Sequence, residues 1–173
     1  MHIQKYQQEK EQLIEFLTSN EWPYHVNTRV NRESITKTID SGYYEDEKET
    51  YWLIDQDVKV GILIIEDIED SIPLIDIRLS ELARGKGFGV KALRWLKDYL
   101  FGELKKIRIE GYTRADNIAM QKCFKKAGFV KEGYLRSAWE NKDGSISDSL
   151  LFAAIKKDWE TDTITLPKWG DVE

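Results

Sequence analysis

Apolar positions along the chain follow two rhythms, a three-and-four spacing that marks helices and an alternating or unbroken spacing that marks strands. Tyr6, Leu13, Ile14, Phe16 and Leu17, set among Gln, Glu and Lys, predict an amphipathic helix over residues 5–18 that ends near Thr18-Ser19-Asn20. Next comes an aromatic stretch broken by proline, Glu21-Trp22-Pro23-Tyr24-His25. Asn31 as N-cap, Ile35 and Ile39 as the apolar stripe and Gly42 as the stop predict a second, short helix. Two strands follow over Tyr51–Ile54 and Val58–Ile65, joined by the hairpin-length link Asp55-Gln56-Asp57.

A further apolar run, Leu74, Ile75, Ile77 and Leu79, predicts a strand, and residues 90–100 carry helical spacing up to a stop at Gly102. Residues 106–113 alternate with a period of two and predict another strand. Asp116 or Asn117 then caps a helix through Met120, Cys123 and Phe124 that stops at Gly128. Phe129 to Trp139 and Ser149 to Ile155, around the turn Asn141-Lys142-Asp143-Gly144, read as an antiparallel hairpin. From Thr161 onward the pattern predicts a loose tail, with Trp169 a candidate to dock back. Strand, helix, strand, helix after a meander implies one parallel pair within a mixed α/β sheet.

Length sharpens this to a single domain over residues 1–173, large enough to bury roughly two thirds of the surface its unfolded chain exposes. The formal charge, 26 cations minus 31 anions, is -5, so no field of the whole molecule draws it to nucleic acid or to an anionic membrane. A single cysteine, Cys123, excludes an intrachain disulfide and a multi-cysteine zinc site, and reads as a small residue on a helix face. The first ten residues are too polar for a signal peptide and no apolar run approaches a membrane span; a cytoplasmic location is the expectation.

Chemistry concentrates in Arg84-Gly85-Lys86-Gly87-Phe88-Gly89, between the strand ending at Leu79 and the helix beginning near Val90. Three glycines in five residues allow positive φ and close approach of a ligand. The first amides of the following helix have no intrahelical acceptor, and with the helix dipole and two cations they form a receptacle for phosphate. A dinucleotide fingerprint requires Gly-x-Gly-x-x-Gly, but here the glycines stand at 85, 87 and 89, and position 90 is Val. A P-loop requires Gly-Lys-Ser/Thr after a four-residue gap, yet Lys86 is followed by Gly87 and position 80 is Ser. Neither nucleotide loop fits.

Arg84-x-x-Gly87-x-Gly89 at a strand-to-helix junction resembles the acetyl-CoA signature of the GNAT superfamily of N-acetyltransferases. Asn117, Phe124 and Ala127-Gly128-Phe129 are similar to the superfamily's later pattern. Together with Glu132-Gly133-Tyr134-Leu135-Arg136 and Asp143-Gly144 followed by Asp148, they most resemble the branch of ribosomal-protein N-terminal acetyltransferases. The resemblance covers roughly residues 50–158. It implies a mostly antiparallel sheet whose central parallel pair splays around acetyl-CoA, with helices on both faces and residues 1–44 forming an acceptor-side helical region.

Residue by residue, the resemblance places the CoA pyrophosphate on Arg84, Gly85, Lys86, Gly87, Phe88 and Gly89, pantetheine along Ile77 and Leu79, and Asn117 and Phe124 beside the cofactor. It implies a backbone amide near Leu79 for the oxyanion, no metal, and direct attack by an amine that is either a small molecule or a protein N-terminus; a homodimer is also open. Relatives often carry Tyr as an acid where this chain has Phe124, and Ser where it has Met120. Those two departures also admit a non-catalytic acyl-CoA-binding protein of the same fold. Asp76 is the candidate base, with a pair to Arg78 on a solvated sheet face as its other role, and Glu66 and Glu81 stand behind it. Trp22, Tyr24 and His25 are candidate acceptor contacts or loop packing. The acidic runs 45–49 and 66–70 are steering charges or solvated turns, and Lys122, Lys125 and Lys126 meet the CoA 3′-phosphate or water.

Overall fold

A computed structural model describes residues 1–170. Seven strands form one sheet: β1 (His2–Lys5), β2 (Lys48–Asp55), β3 (Val58–Glu66), β4 (Leu74–Leu79), β5 (Arg108–Arg114), β6 (Val130–Glu140) and β7 (Ile146–Ile155), in the spatial order β1-β2-β3-β4-β5-β7-β6. Only β4 and β5 run parallel; every other neighbouring pair is antiparallel. Helices α1 (Lys10–Thr18) and α2 (Arg32–Asp40) cover one face. The opposite face carries α3 (Phe88–Lys97), α4 (Ile118–Lys126) and α5 (Lys156–Thr161).

Burial on both faces explains why the central strands read as unbroken apolar runs and not as alternation. Tyr51, Leu53, Leu63 and Ile65 enter the core under α3 and α4, while their neighbours Trp52, Ile54, Ile62 and Ile64 enter the core under α1 and α2. Each strand is thus solvent-excluded twice over, and the period of two survives only in which core a residue joins. Asn31 caps α2 by accepting the Ser34 amide at 2.8 Å, and Asn117 caps α4 by accepting the Met120 amide at 3.1 Å.

Four expectations need correction. The first helix begins at Lys10, because Gln8 takes a left-handed φ of +65° that breaks the segment, and residues before it pair with β2 as a polar edge strand whose alternation is invisible. The helix after the glycine loop continues through a π-helical turn, Asp98–Glu103, so Gly102 lies inside it; the left-handed residue that ends the path is Lys105, φ +57°. Between the last expected strand and the tail expected from Thr161 onward lies helix α5, whose six residues are too short to show a period. Its Trp159 donates to Asp98 Oδ1 at 2.8 Å, and its buried Asp158 accepts both the amide and the hydroxyl of Thr165, at 2.9 Å each. The chain is therefore tied down through Thr165, while Trp169, 71% exposed, does not dock. Residues 171–173 of that tail lie outside the described residues.

Candidate active site

Between β4 and β5 the ladder holds at Leu74 opposite Glu110, supported by Glu110 N–H to the Pro73 carbonyl at 3.1 Å, and then stops. Beyond it the strands part, and a cavity of about 580 Å³ opens in the gap. Its walls come from the end of β4 (Ile77, Arg78, Leu79), the glycine loop, α4 from Asn117 to Lys126, and the Trp22–His25 segment between α1 and α2. The fold thus brings to one cavity two groups of residues separated by about sixty positions of sequence, the candidate donor loop and the candidate acceptor segment.

A short 3₁₀ turn, Glu81–Ala83, leads from β4 into the loop. Gly85 and Gly87 take φ of +76° and +83°, which any L side chain adopts at a cost, and no side chain caps α3 at Gly87. The amides of the first turn of α3 are left without an intrahelical partner, the arrangement that binds an oxyanion. A β-carbon at either glycine would meet nothing within 4 Å, so the loop faces open space. Arg84 donates from Nε to the Leu79 carbonyl at 3.2 Å and from Nη2 to the Glu21 carbonyl, clipping loop, strand and acceptor segment together. Gly85, Gly87 and Gly89 line the cavity; Lys86 and Phe88 do not, and the Phe88 ring is buried in the core.

The phase of β4 is set by Ser80, whose amide donates to the Val60 carbonyl at 2.9 Å. Alternation along an antiparallel ladder then turns the backbone groups of Ile77 and Leu79 away from β3, into the gap. Of these, the Leu79 carbonyl is already held by Arg84.

Phe124 requires a correction. It is 1% exposed, stacks on Phe152 at 4.9 Å between centroids, and fills the space above Gly111, where a β-carbon would lie 2.5 Å from its Cζ. It is a core residue and does not reach the cavity. Asn117 lines the cavity and also caps α4. Lys122 and Lys126 line the cavity and Lys125 does not. Ala119, Met120 and Cys123 also line it, a stripe that the three-and-four spacing counted from Asn117 would have exposed. Burial pushes the Cys123 thiol up to about 11.

On the acceptor side, the buried Trp22 indole donates to the Leu17 carbonyl at 2.9 Å, leaving its ring as wall beneath the Arg78 and Arg84 guanidinium groups at 5.9 and 5.8 Å. Arg114 lies 5.7 Å over the Tyr24 ring. Asp76 and Arg78 do pair, with Asp76 Oδ2 accepting Arg78 Nε at 3.0 Å and Nη2 at 2.8 Å. The pair is half-buried on the α1 and α2 side of the sheet, beside the buried Tyr44, and not on a solvated face. Burial would raise the Asp76 carboxyl, but Arg78, then His25, outweigh it and hold it below the ordinary carboxylate value. Asp76 itself is not on the cavity wall.

The other carboxylates are engaged. Glu81 accepts the Glu21 amide at 2.9 Å and Glu66 lies 3.6 Å from Lys48. Within the first acidic run, Glu49 accepts the hydroxyls of Tyr51 and Tyr99 at 2.7 Å each. Among the described residues no cluster of three or more His, Cys, Asp or Glu could hold a metal ion, and no helix is long and apolar enough to cross a membrane.

Residues 2–130 match the sequence profile of the acetyltransferase (GNAT) domain family. The chain belongs to this family. A 58-residue segment of this GNAT chain is 41% identical to the probable N-acetyltransferase YjcK of Bacillus subtilis (strain 168), a match that spans 34% of the chain and only 32% of that relative's length. Among solved structures, the GNAT domain resembles a spermidine N-acetyltransferase SpeG chimera from Vibrio cholerae and hSSAT, with a TM-score of 0.78 at 15% identity over 93% of this chain and 99% of that one. It also resembles the dodecameric spermidine N-acetyltransferase from Vibrio cholerae, with a TM-score of 0.73 at 14% identity over 91% and 95% of the two chains. At such identities the likeness shows the fold, a seven-stranded GNAT sheet with one parallel pair.

Proposed function

We propose that the protein is a single-domain, acetyl-CoA-dependent N-acetyltransferase acting on a primary amine. The observation that carries this reading is the gap between β4 and β5, one wall of which is a glycine loop with open amides and the other end of which is closed by Trp22, Tyr24 and His25. The residues present fit the donor. The unshielded backbone at Gly85 and Gly87 and the first amides of α3 suit a pyrophosphate, and Lys122 and Lys126 supply positive charge on the facing helix. Backbone groups of Ile77 and Leu79 that face the gap suit the amides of pantetheine, in the manner of an added strand.

Bound acetyl-CoA supplies a thioester that an amine can displace directly. The Leu79 amide, turned into the gap, is placed to donate to the oxygen on which negative charge develops. Arg84 holds that amide in register by gripping the carbonyl of the same residue. Trp22, Tyr24 and His25 shape the acceptor end, where an alkylammonium or a peptide α-amine would enter. The motif resemblance over residues 117–148 favours a protein N-terminus; the spermidine acetyltransferases of similar fold favour a small amine.

Phe124 in the core and Met120 on the wall leave no side-chain acid at the positions where relatives carry one, which favours, as a second reading, an acyl-CoA-binding protein without catalysis. Release of free thiol from acetyl-CoA in the presence of a panel of amines separates the two. Amine-dependent release supports the transferase; tight CoA binding without any release supports the second reading.

A further inference from the structure

Amide formation requires a group that takes a proton from the attacking amine, and the inference drawn here rests on the transferase reading. Asp76 is a poor acceptor: Arg78 occupies its Oδ2 with two hydrogen bonds, and the carboxylate does not reach the cavity. Its second oxygen, Oδ1, faces His25, whose Nε2 lies 3.9 Å away. His25 does reach the cavity, on the wall it shares with Leu79. Its backbone amide donates to the Trp22 carbonyl at 3.0 Å, and its ring stands edge-on to Trp22 at 6.3 Å and 89°.

We propose that His25 is the general base of the acetyl transfer and that Asp76 is a positioning residue behind it. The amine nitrogen forms the C–N bond to the thioester carbon and the C–S bond breaks, its electron pair leaving on sulfur. The proton shed by nitrogen passes to the unprotonated nitrogen of the imidazole, which later yields it to water, and the thiolate takes one back from water; nothing is oxidised or reduced. The imidazolium formed in passing lies beside the Asp76 carboxylate, whose charge favours it.

The charged groups facing His25 come from two elements, Asp76 and Arg78 from β4 and Arg84 from the glycine loop; Lys48 of β2 and Tyr44 of the turn after α2 lie beyond them, against the Asp76–Arg78 pair. Burial is the largest influence on the imidazole and lowers its pKa; Asp76 opposes that, while Arg78 and Arg84 reinforce it. His25 is consequently neutral, and able to accept a proton, at neutral pH.

Thiol release from acetyl-CoA, with benzylamine, spermidine and the α-amine of a short peptide as probes, tests this across about pH 5.5 to 9. Each variant is compared with the unaltered protein on the same probe, so that titration of the probe cancels. His25→Gln is expected to lower kcat/KM roughly 100-fold above pH 7 with unchanged CoA affinity, the deficit shrinking as pH falls through the imidazole titration. Added imidazole should partly restore His25→Ala. Asp76→Asn should shift the acidic limb of the profile to lower pH, since the carboxylate raises the imidazole pKa. A His25→Gln deficit that is absent, or equal at every pH, overturns the assignment and leaves the transferase standing. An unaltered protein that binds CoA yet releases no thiol with any probe removes the transferase reading, and the base with it.

Discussion

Arg84 Nε and the carbonyl of Leu79 meet at 3.2 Å, five residues apart, at the point where strand gives way to glycine loop. With its second bond, to the Glu21 carbonyl, the same guanidinium spans the donor and acceptor halves of the cavity. Replacing Arg84 by Met is expected to weaken CoA binding and to raise KM for the amine together. On an exposed side chain these bonds contribute about 1 kcal/mol, or roughly fivefold, to each. Calorimetric titration with CoA and an amine KM series measure the two; an effect confined to CoA would show that Arg84 serves the donor half alone.

Gly87 stands at φ +83° with open space where a β-carbon would project. Gly87→Ala therefore costs stability through backbone strain alone, about 1 kcal/mol by urea denaturation. Gly87→Glu adds a negative charge to the anion cradle, and CoA affinity should fall far more than stability does. Unchanged affinity in Gly87→Glu would remove the pyrophosphate from this loop.

Phe124→Tyr restores the side chain common among relatives, but in this protein the ring is stacked on Phe152 inside the core. Its hydroxyl would be buried without a partner, at a cost of about 1–3 kcal/mol. The denaturation midpoint should drop and the rate of thiol release should not rise. A gain in rate would mean that the ring can swing to the cavity.

Acid sensitivity follows from the two lowered groups at the acceptor end. His25 titrates in the folded protein below its ordinary 6.5, so the unfolded chain binds the proton first, and stability declines as pH falls from about 6.5 through the lower folded value. Asp76, also lowered, adds a loss at more acidic pH, below the ordinary carboxylate value of 3.8. The midpoint for urea unfolding of His25→Gln should depend less on pH between about 5 and 7 than that of the unaltered protein. Equal slopes would contradict a half-buried, neutral imidazole.

Asp158 accepts two hydrogen bonds from Thr165. Asp158→Ala should free the chain beyond Thr161 to limited proteolysis, while thiol release stays near its original rate, because α5 contributes nothing to the cavity wall.

Long-period features were legible in the sequence because they arise from local physics. The caps at Asn31 and Asn117, the glycine stops at Gly42 and Gly128 and the strand-loop-helix around Gly87 each follow from one residue's geometry. What escaped depended on partners distant in sequence. Strand β1 is a strand only because β2 lies beside it, and Phe124 is a core residue only because Gly111 and Phe152 leave it a seat. The Asp76–Arg78 pair was visible, but its half-buried placement was not, since α1, α2 and the turn at Tyr44 that cover it lie more than thirty residues upstream.

The parted β4 and β5 also set how far this sheet can be strengthened. Its cohesion resides within two antiparallel blocks, β1 to β4 and β5 to β6, and the seam between them holds a single ladder register and the helices packed across it. Zipping the seam further would add hydrogen bonds and remove the space in which a ligand lies. Sheet cohesion and room for a ligand are thus opposed at Leu74, and the gain that ordinary strand pairing offers is forgone there in favour of an open edge.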